Sequence, residues 1–236
     1  MISPPFSILI TAYREAATIG RAIEALLPQA GGAEIIVICP DEDTARAASA
    51  YPGVTLLRDP ARGKPAALNL GLARARGEII VLTDGDVHVA PGALEALLAP
   101  SCPRLLGSGS GTPGSASQSA TRRTERSRVS ASPRGTLLGY WSHLLTDAGA
   151  HAERLKRDAA GQFFVCSGYL YAIRAGLVEH IPEDALAEDA VVSHLVARRG
   201  YKVRYAPYAK VVVKYPATYC DWLKQKVRSA GGYTQP

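Results

Sequence analysis

Through the first hundred residues, short runs that are apolar throughout alternate with stretches in which apolar side chains recur every three or four positions. The runs FSILITAY (6–13), AEIIVICP (33–40), GVTLLRD (53–59) and EIIVLT (78–83) read as strands. Between them, EAATIGRAIEALL sets Ile19, Ile23, Leu26 and Leu27 on one helical face, and DEDTARAASA predicts a short helix with an acidic first turn. GKPAALNLGLARARG has Pro65 near its first turn, Leu68 and Leu72 four apart, and Gly77 as a stop. Apolar strands separated by helices imply a mostly parallel sheet covered on both faces. In such sheets ligands bind beyond the strands' C-terminal ends, and Asp84 and Asp86 lie there.

A further short helix is expected at 91–98. Beyond it, residues 101–135 are rich in Ser, Gly, Thr and Arg and nearly free of large apolar residues. That composition predicts a flexible basic loop, cut first by protease within 107–134. It has no aromatics on which bases would stack, so nucleic acid is not an expected partner. Periodicity resumes in TLLGYWSHLLTDAGAHAERL, a helix pair, and GQFFVCSGYLYAIRAGL, a strand, glycine turn and strand. In AEDAVVSHLVARRG, Val191, Val192, Leu195 and Val196 share one helical face, opened by Glu188 and Asp189 and closed by Gly200. YKVRYAPYAKVVVKYP is extended, and TYCDWLKQKVRSAGGY is a basic terminal helix. The chain thus divides into 1–100, a loop at 101–135, and 136–236.

Composition changes this picture little. The 236 residues carry a net charge of +6, which suits an anionic partner without choosing one. Four scattered cysteines with no C-x-x-C pair argue against zinc and redox motifs and for a reducing cytosol. The N-terminus lacks the pattern of a signal peptide, and no run approaches the ~20 apolar residues of a membrane span. A cytoplasmic location is expected.

The chemistry concentrates in two places. In extended backbone, residues two apart point the same way, so Asp84 and Asp86 can converge on one hard divalent cation. The same spacing fits a solvated Asp-Gly turn. His88 continues the alternation but equally fits the surface, and the oxygen ligands of an EF-hand stop after Asp86. Arg58, Arg62 and Lys64 gather at the mouth of the third helix, where an anion would bind. At the start of the 187–200 helix, the dipole would keep Glu188 or Asp189 deprotonated, and a capping role suits either.

Four blocks in order, ILITAYREAATIGRAIEALL, RGKPAALNLGLARARGEIIVLTDGDV, AEDAVVSHLVARRGYKVRYAP and QKVRS, resemble the family 2 glycosyltransferases of GT-A fold. The resemblance implies a single α/β domain, with a Rossmann-like sheet and a C-terminal acceptor-side half. It implies inverting transfer of a sugar from a nucleotide-diphosphate donor to a glycan or lipid-linked acceptor, assisted by Mg or Mn. By the same resemblance, Thr11, Tyr13, Glu15, Asp41, Lys64, Asn69, Asp84 and Gly85 serve the donor, and Asp84 and Asp86 the metal. Asp189 is the implied base, with Gly168, Glu188, Gln225 and Arg228 on the acceptor side. The chain departs from the family at Arg14, where asparagine is usual, at Cys39 in place of the acid that reads uracil, and at Ser229 in place of tryptophan. The strand expected after the helix at 91–98 has no counterpart in the apolar pattern.

Two other functions remain open: a nucleotide or glycan binder without catalysis, and a nucleotidyltransferase. The latter would carry a Gly-rich loop after the first strand, which TAYREAATIG lacks. The absence of G-x-G-x-x-G at that place argues against a dehydrogenase. On the terminal helix, Trp222, Gln225 and Arg228 are spaced by three, as for contact with an acceptor. Lys224 and Lys226 with Tyr219 and Trp222 would also suit a peripheral position on an acidic membrane face.

Overall fold

The computed structural model describes residues 4–99, 119–123, 144–213, 216 and 218–233. Strands β1 (Ser7–Thr11), β2 (Glu34–Cys39), β3 (Val54–Arg58) and β4 (Ile79–Asp84) are all parallel. Helices α1 (Ile19–Leu26), α2 (Glu42–Ser49) and α3 (Lys64–Arg74) make the crossovers that parallel pairing requires. A short strand β5 (His88–Val89) and helix α4 (Ala93–Leu98) follow, then β6 (Ser119–Arg123), a π-helical turn (Leu144–His151) and α5 (Ala152–Ala159). The chain continues through β7 (Leu170–Arg174), α6 (Glu188–Arg198), β8 (Lys202–Tyr205), β9 (Val211–Val212) and α7 (Tyr219–Tyr233).

The main sheet runs β3-β2-β1-β4-β7-β6-β8, and β5 pairs with β9 apart from it. Only β7 runs against its neighbours, so this is a mostly parallel mixed sheet, as the apolar runs predict. Alternation along β1 feeds both faces. Ile8 and Ile10 pack with Ile19, Ile23 and Leu26 of α1 and with Leu94 and Leu97 of α4. Leu9 packs with Leu68 of α3 and with Val192 and Val196 of α6. Each such fully buried side chain stabilises the fold by roughly 1.5–3 kcal/mol.

Several expectations are corrected. Leu27 is 41% exposed, because it opens a 3-10 turn with Pro28 that ends the α1 face at Leu26. Five residues of the expected loop form β6, the strand missing from the apolar pattern. Its pairing comes from backbone groups, which a Ser/Thr/Arg sequence supplies as well as an apolar one. The rest of that loop, including the remainder of 107–134, lies outside the described residues. Residues 162–169 are not a strand, and β7 starts only at Leu170. The extended 201–216 stretch is two short strands separated by a turn. The helix pair is a π-helical turn running directly into α5, with 136–143 outside the described residues. Among the described residues, no helix is long and apolar enough to cross a membrane.

At the N-terminal ends of the strands, Glu34 is held in a polar cluster. Ser7 Oγ donates to it at 2.6 Å, and the Arg76 N–H and guanidinium donate at 2.5 and 3.0 Å. Burial opposes the charge, but these donors outweigh it and hold the Glu34 carboxyl below its ordinary range. Gly77 donates to Ser7 Oγ at 2.8 Å, and a Cβ at Gly77 would meet the Phe6 backbone at 2.5 Å. Close approach, and not helix termination, explains that glycine, because α3 already ends at Arg74 with Ala75 extended after it.

Candidate functional site

A cleft of about 440 Å³ opens where β1, β2 and β4 end and α3 begins. Thr11 and Asp84 face each other in register, and the Thr11 hydroxyl donates to Asp84 Oδ1 at 2.9 Å. Gly63, at φ 102°, turns the chain into α3 in a conformation that suits glycine. Lys64 begins that helix and places Nζ 2.7 Å from Asp84 Oδ1 and 2.6 Å from Glu188 Oε1. Gly85 donates its N–H to Thr11 O at 2.9 Å, and a Cβ there would lie 2.7 Å from Ala12 Cβ. The glycine between the two aspartates is therefore a close-packing requirement.

Six of the eight residues expected on the donor side line this cleft: Thr11, Tyr13, Glu15, Lys64, Asp84 and Gly85; Asp86 joins them. Two do not. Asp41 caps α2 by accepting the Thr44 N–H at 3.0 Å, and its other oxygen accepts the Arg14 N–H at 2.9 Å. Burial works against its charge, but the Arg14 and Thr44 donors outweigh it and lower its pKa. The Asn69 carboxamide is engaged at both ends by the Ile181 backbone, at 2.8 Å each, and braces α3 against the second half of the chain.

The expected cluster of cations also disperses. Arg58 donates to the carbonyls of Pro40 and Asp41, and Arg62 pairs with Glu183 at 3.3 Å. His88 is exposed on β5, because the Val87 N–H to Asp84 O turn breaks the alternation before it. Cys39 is fully buried, with its thiol pushed up to about 11 by burial. Pro40, Asp59 and Ala61 line the cleft without having been singled out from the sequence. Their signal was position, at the C-terminal ends of β2 and β3. Ala61 has φ 57°, held by its N–H to Asp59 Oδ1 at 2.8 Å, and Arg14 has φ 58°. Both strained residues lie in the loops that shape the cleft.

Glu15, Asp59, Asp84 and Asp86 face Lys64 alone among the charged side chains lining the cleft. Burial pushes the Asp84 carboxyl up, and Lys64 only partly offsets this. Asp86 is raised by burial and then by the charge of Glu15. Burial would lower Lys64, but Asp84 and Glu188 overcome it and hold the ammonium well above its usual range. Asp86 makes no ion pair or hydrogen bond to another described residue, while Thr11 and Lys64 both contact Asp84 at Oδ1. A divalent cation fits this donor set: one unpaired carboxylate, one with an oxygen in reserve, and a surplus of negative charge. Among the described residues, no group of three or more His, Cys, Asp or Glu is placed to hold a metal.

Of the residues expected on the acceptor side, Gly168 and Glu188 meet the cleft through Lys64. A Cβ at Gly168 would lie 3.5 Å from Glu188 Oε1, 3.6 Å from Lys64 Nζ and 3.7 Å from Asp189 Oδ2. Asp189 Oδ1 accepts the Ala190 N–H at 2.9 Å in the first turn of α6. Gln225 is half-buried on α7, which packs against α6, and is not among the residues lining the cleft. The Arg228 side chain is outside the described residues.

A family model described as "Glycosyltransferase like family 2" matches residues 4–232. The succinoglycan biosynthesis protein ExoO of Rhizobium meliloti (strain 1021) is 36% identical over 101 residues, covering 40% of this chain and 29% of ExoO. Among solved structures, the mannosyltransferase PcManGT from Pyrobaculum calidifontis, in complex with GDP-Man and Mn2+, matches with a TM-score of 0.68 and 20% identity. That match covers 100% of this chain and 63% of PcManGT. Glucosyl-3-phosphoglycerate synthase from Mycobacterium tuberculosis, in complex with Mn2+, UDP and glucosyl-3-phosphoglycerate, matches at 0.60 and 20% identity, over 97% of this chain and 77% of that one. The chain therefore spans less than a third of ExoO and just under two thirds of PcManGT. At these identities the structural matches show a shared fold.

Proposed function

Since the chain belongs to the glycosyltransferase-like family 2, we propose that it is a metal-dependent inverting transferase. It moves a sugar from a nucleotide-diphosphate donor to a hydroxyl of a glycan or lipid-linked acceptor. The observation that carries this reading is the charge of the cleft: Glu15, Asp59, Asp84 and Asp86 against the single ammonium of Lys64. An anionic diphosphate cannot settle among four carboxylates unless a cation comes with it. Asp86, with the reserve oxygen of Asp84, would hold Mn or Mg there, and the ion would neutralise the departing diphosphate. The Mn2+ present in PcManGT and in the phosphoglycerate synthase supports the same assignment.

The chain's own residues then divide the work. Tyr13 and Pro40 line the cleft and would border the nucleotide, and Lys64 lies beside α6. Asp189 takes the proton from the acceptor hydroxyl as that oxygen attacks the anomeric carbon opposite the diphosphate. Gly168 lies beside it, close enough that a Cβ there would touch Oδ2 at 3.7 Å.

A panel of UDP-, GDP- and dTDP-sugars, incubated with Mn2+ and with a chelator, tests the reading. One donor should be consumed with Mn2+ and spared by the chelator, and NMR should show inversion at the anomeric carbon of the product. Nucleotide binding without turnover of any donor would favour a binder, and release of pyrophosphate from a nucleoside triphosphate a nucleotidyltransferase.

Peripheral contact with an acidic membrane is part of the proposal. Tyr219, Leu223 and Val227 follow one another at four-residue steps on α7 and are 62%, 45% and 64% exposed. On the helical wheel Lys226 borders this stripe on one side and Lys224 on the other, while Trp222 and Gln225 are half-buried. An outward apolar stripe edged by lysines suits a helix lying in a lipid interface.

A further inference from the structure

We infer that Glu188 is a positioning residue, locking the first turn of α6, and with it the Asp189 carboxylate, to β4 through Lys64. The lock stands on geometry, while its consequence for catalysis rests on the transfer reading above.

Two adjacent acids open α6, and the structure gives them different tasks. The N-cap, Ala187, offers no side-chain cap, so a carboxylate turned back on the free N–H groups would serve the helix. Glu188 instead spends Oε1 on Lys64 at 2.6 Å, with only 12% of its side chain exposed. Lys64 continues at 2.7 Å to Asp84 Oδ1, which also accepts the Thr11 hydroxyl. A polar chain thus runs from β1 through β4 and the first residue of α3 to the first residue of α6. It ties together elements far apart in sequence at the one place where donor and acceptor must meet.

Glu188 is poorly suited to take the proton itself, since an ammonium in contact with Oε1 opposes protonation there. Neighbouring residues on a helix project about 100° apart, so one can serve as a strut while the next faces the reaction. Asp189 holds Oδ1 on the Ala190 N–H, and its Oδ2 lies 3.7 Å from where a Cβ at Gly168 would stand. Its place relative to the donor is set by where α6 begins. Glu188 decides that, and a displacement of about 1 Å at such a group can cost on the order of a hundredfold in rate.

Amide exchange, nucleotide binding and kinetics together test the lock in the whole chain. E188A should speed exchange at residues 190–193 by about tenfold or more, K64A should do the same, and the double variant should add nothing further. UDP or GDP binding with Mn2+ should change less than about threefold in E188A, while kcat falls about 10–100-fold. E188Q keeps an oxygen for Lys64 and should recover most of the rate; being isosteric, it also serves if E188A does not fold. Native exchange in E188A, or independent effects of K64A and E188A, would overturn the lock. So would an E188Q as inactive as E188A with native exchange, because Glu188 would then carry the proton itself. If the unaltered chain turns over no nucleotide sugar, the transfer reading fails, and exchange alone still decides the lock.

Discussion

Asp86 is charged at a position where the fold disfavours charge. Partial desolvation at the cleft wall and the neighbouring Glu15 raise its pKa although the side chain is exposed, so the folded state binds a proton more readily than the unfolded chain, and at neutral pH the carboxylate weakens the fold a little. D86N should therefore raise the melting temperature slightly while lowering turnover at least about a hundredfold, measured by thermal melts and by donor consumption with Mn2+. A lower melting temperature would show that Asp86 supports the fold instead. D189N should behave differently, with transfer falling about 10²–10⁴-fold and nucleotide affinity nearly unchanged. Loss of donor binding before loss of rate would remove Asp189 as the base. The legibility of these residues follows from where their partners lie. Asp84, Asp86, Lys64, Glu188 and Asp189 stand at ends of elements that the sequence marks clearly. Asp41 and Asn69 are used by backbone groups 27 and 112 positions away, which no local pattern reveals.

Elements were legible wherever burial imposed a period. The strands β1 to β4 and helices α3 and α6 fall close to their apolar patterns, because a slip of one residue would turn apolar side chains to water. β6 was invisible for the opposite reason, since Ser119–Arg123 carries no apolar pattern to detect. The orientation of α7 was only half legible: spacing grouped Trp222 with Gln225, but which face turns outward depends on packing against α6. That outward face gives a test. The protein should co-sediment with vesicles rich in anionic lipid at low salt, release as salt rises, and ignore neutral vesicles. L223E/V227E should abolish binding and leave donor consumption in solution intact. A wild-type chain that stays in the supernatant removes the membrane contact, and self-association lost in the same variant would assign the stripe to a second copy.

The molecule places its functional charges at one end of the sheet and a structural charge cluster at the other. Glu34 has a folded-state pKa below its ordinary 4.5. Its stabilisation is therefore fully present above that value and lost as pH falls through the folded pKa. E34Q should cost about 1–3 kcal/mol in urea unfolding at pH 7. The gap from the unaltered chain should narrow below about pH 4. An equal gap at both pH values would mean that shape, and not charge, is what Glu34 contributes.

The antiparallel strand β7 has a consequence during synthesis. Until it emerges, β4 is the open edge of a four-stranded parallel sheet, and that edge reads Ile-Ile-Val-Leu-Thr-Asp. β7 begins roughly 85 residues after β4 ends, so a ribosome adding roughly 5–20 residues per second leaves the edge bare for several seconds. An apolar edge in a growing chain is a template for pairing with other chains. Shortening that wait with faster codons between β4 and β7, or covering the edge with a holding chaperone, should raise the yield of soluble protein more than any gain in final stability.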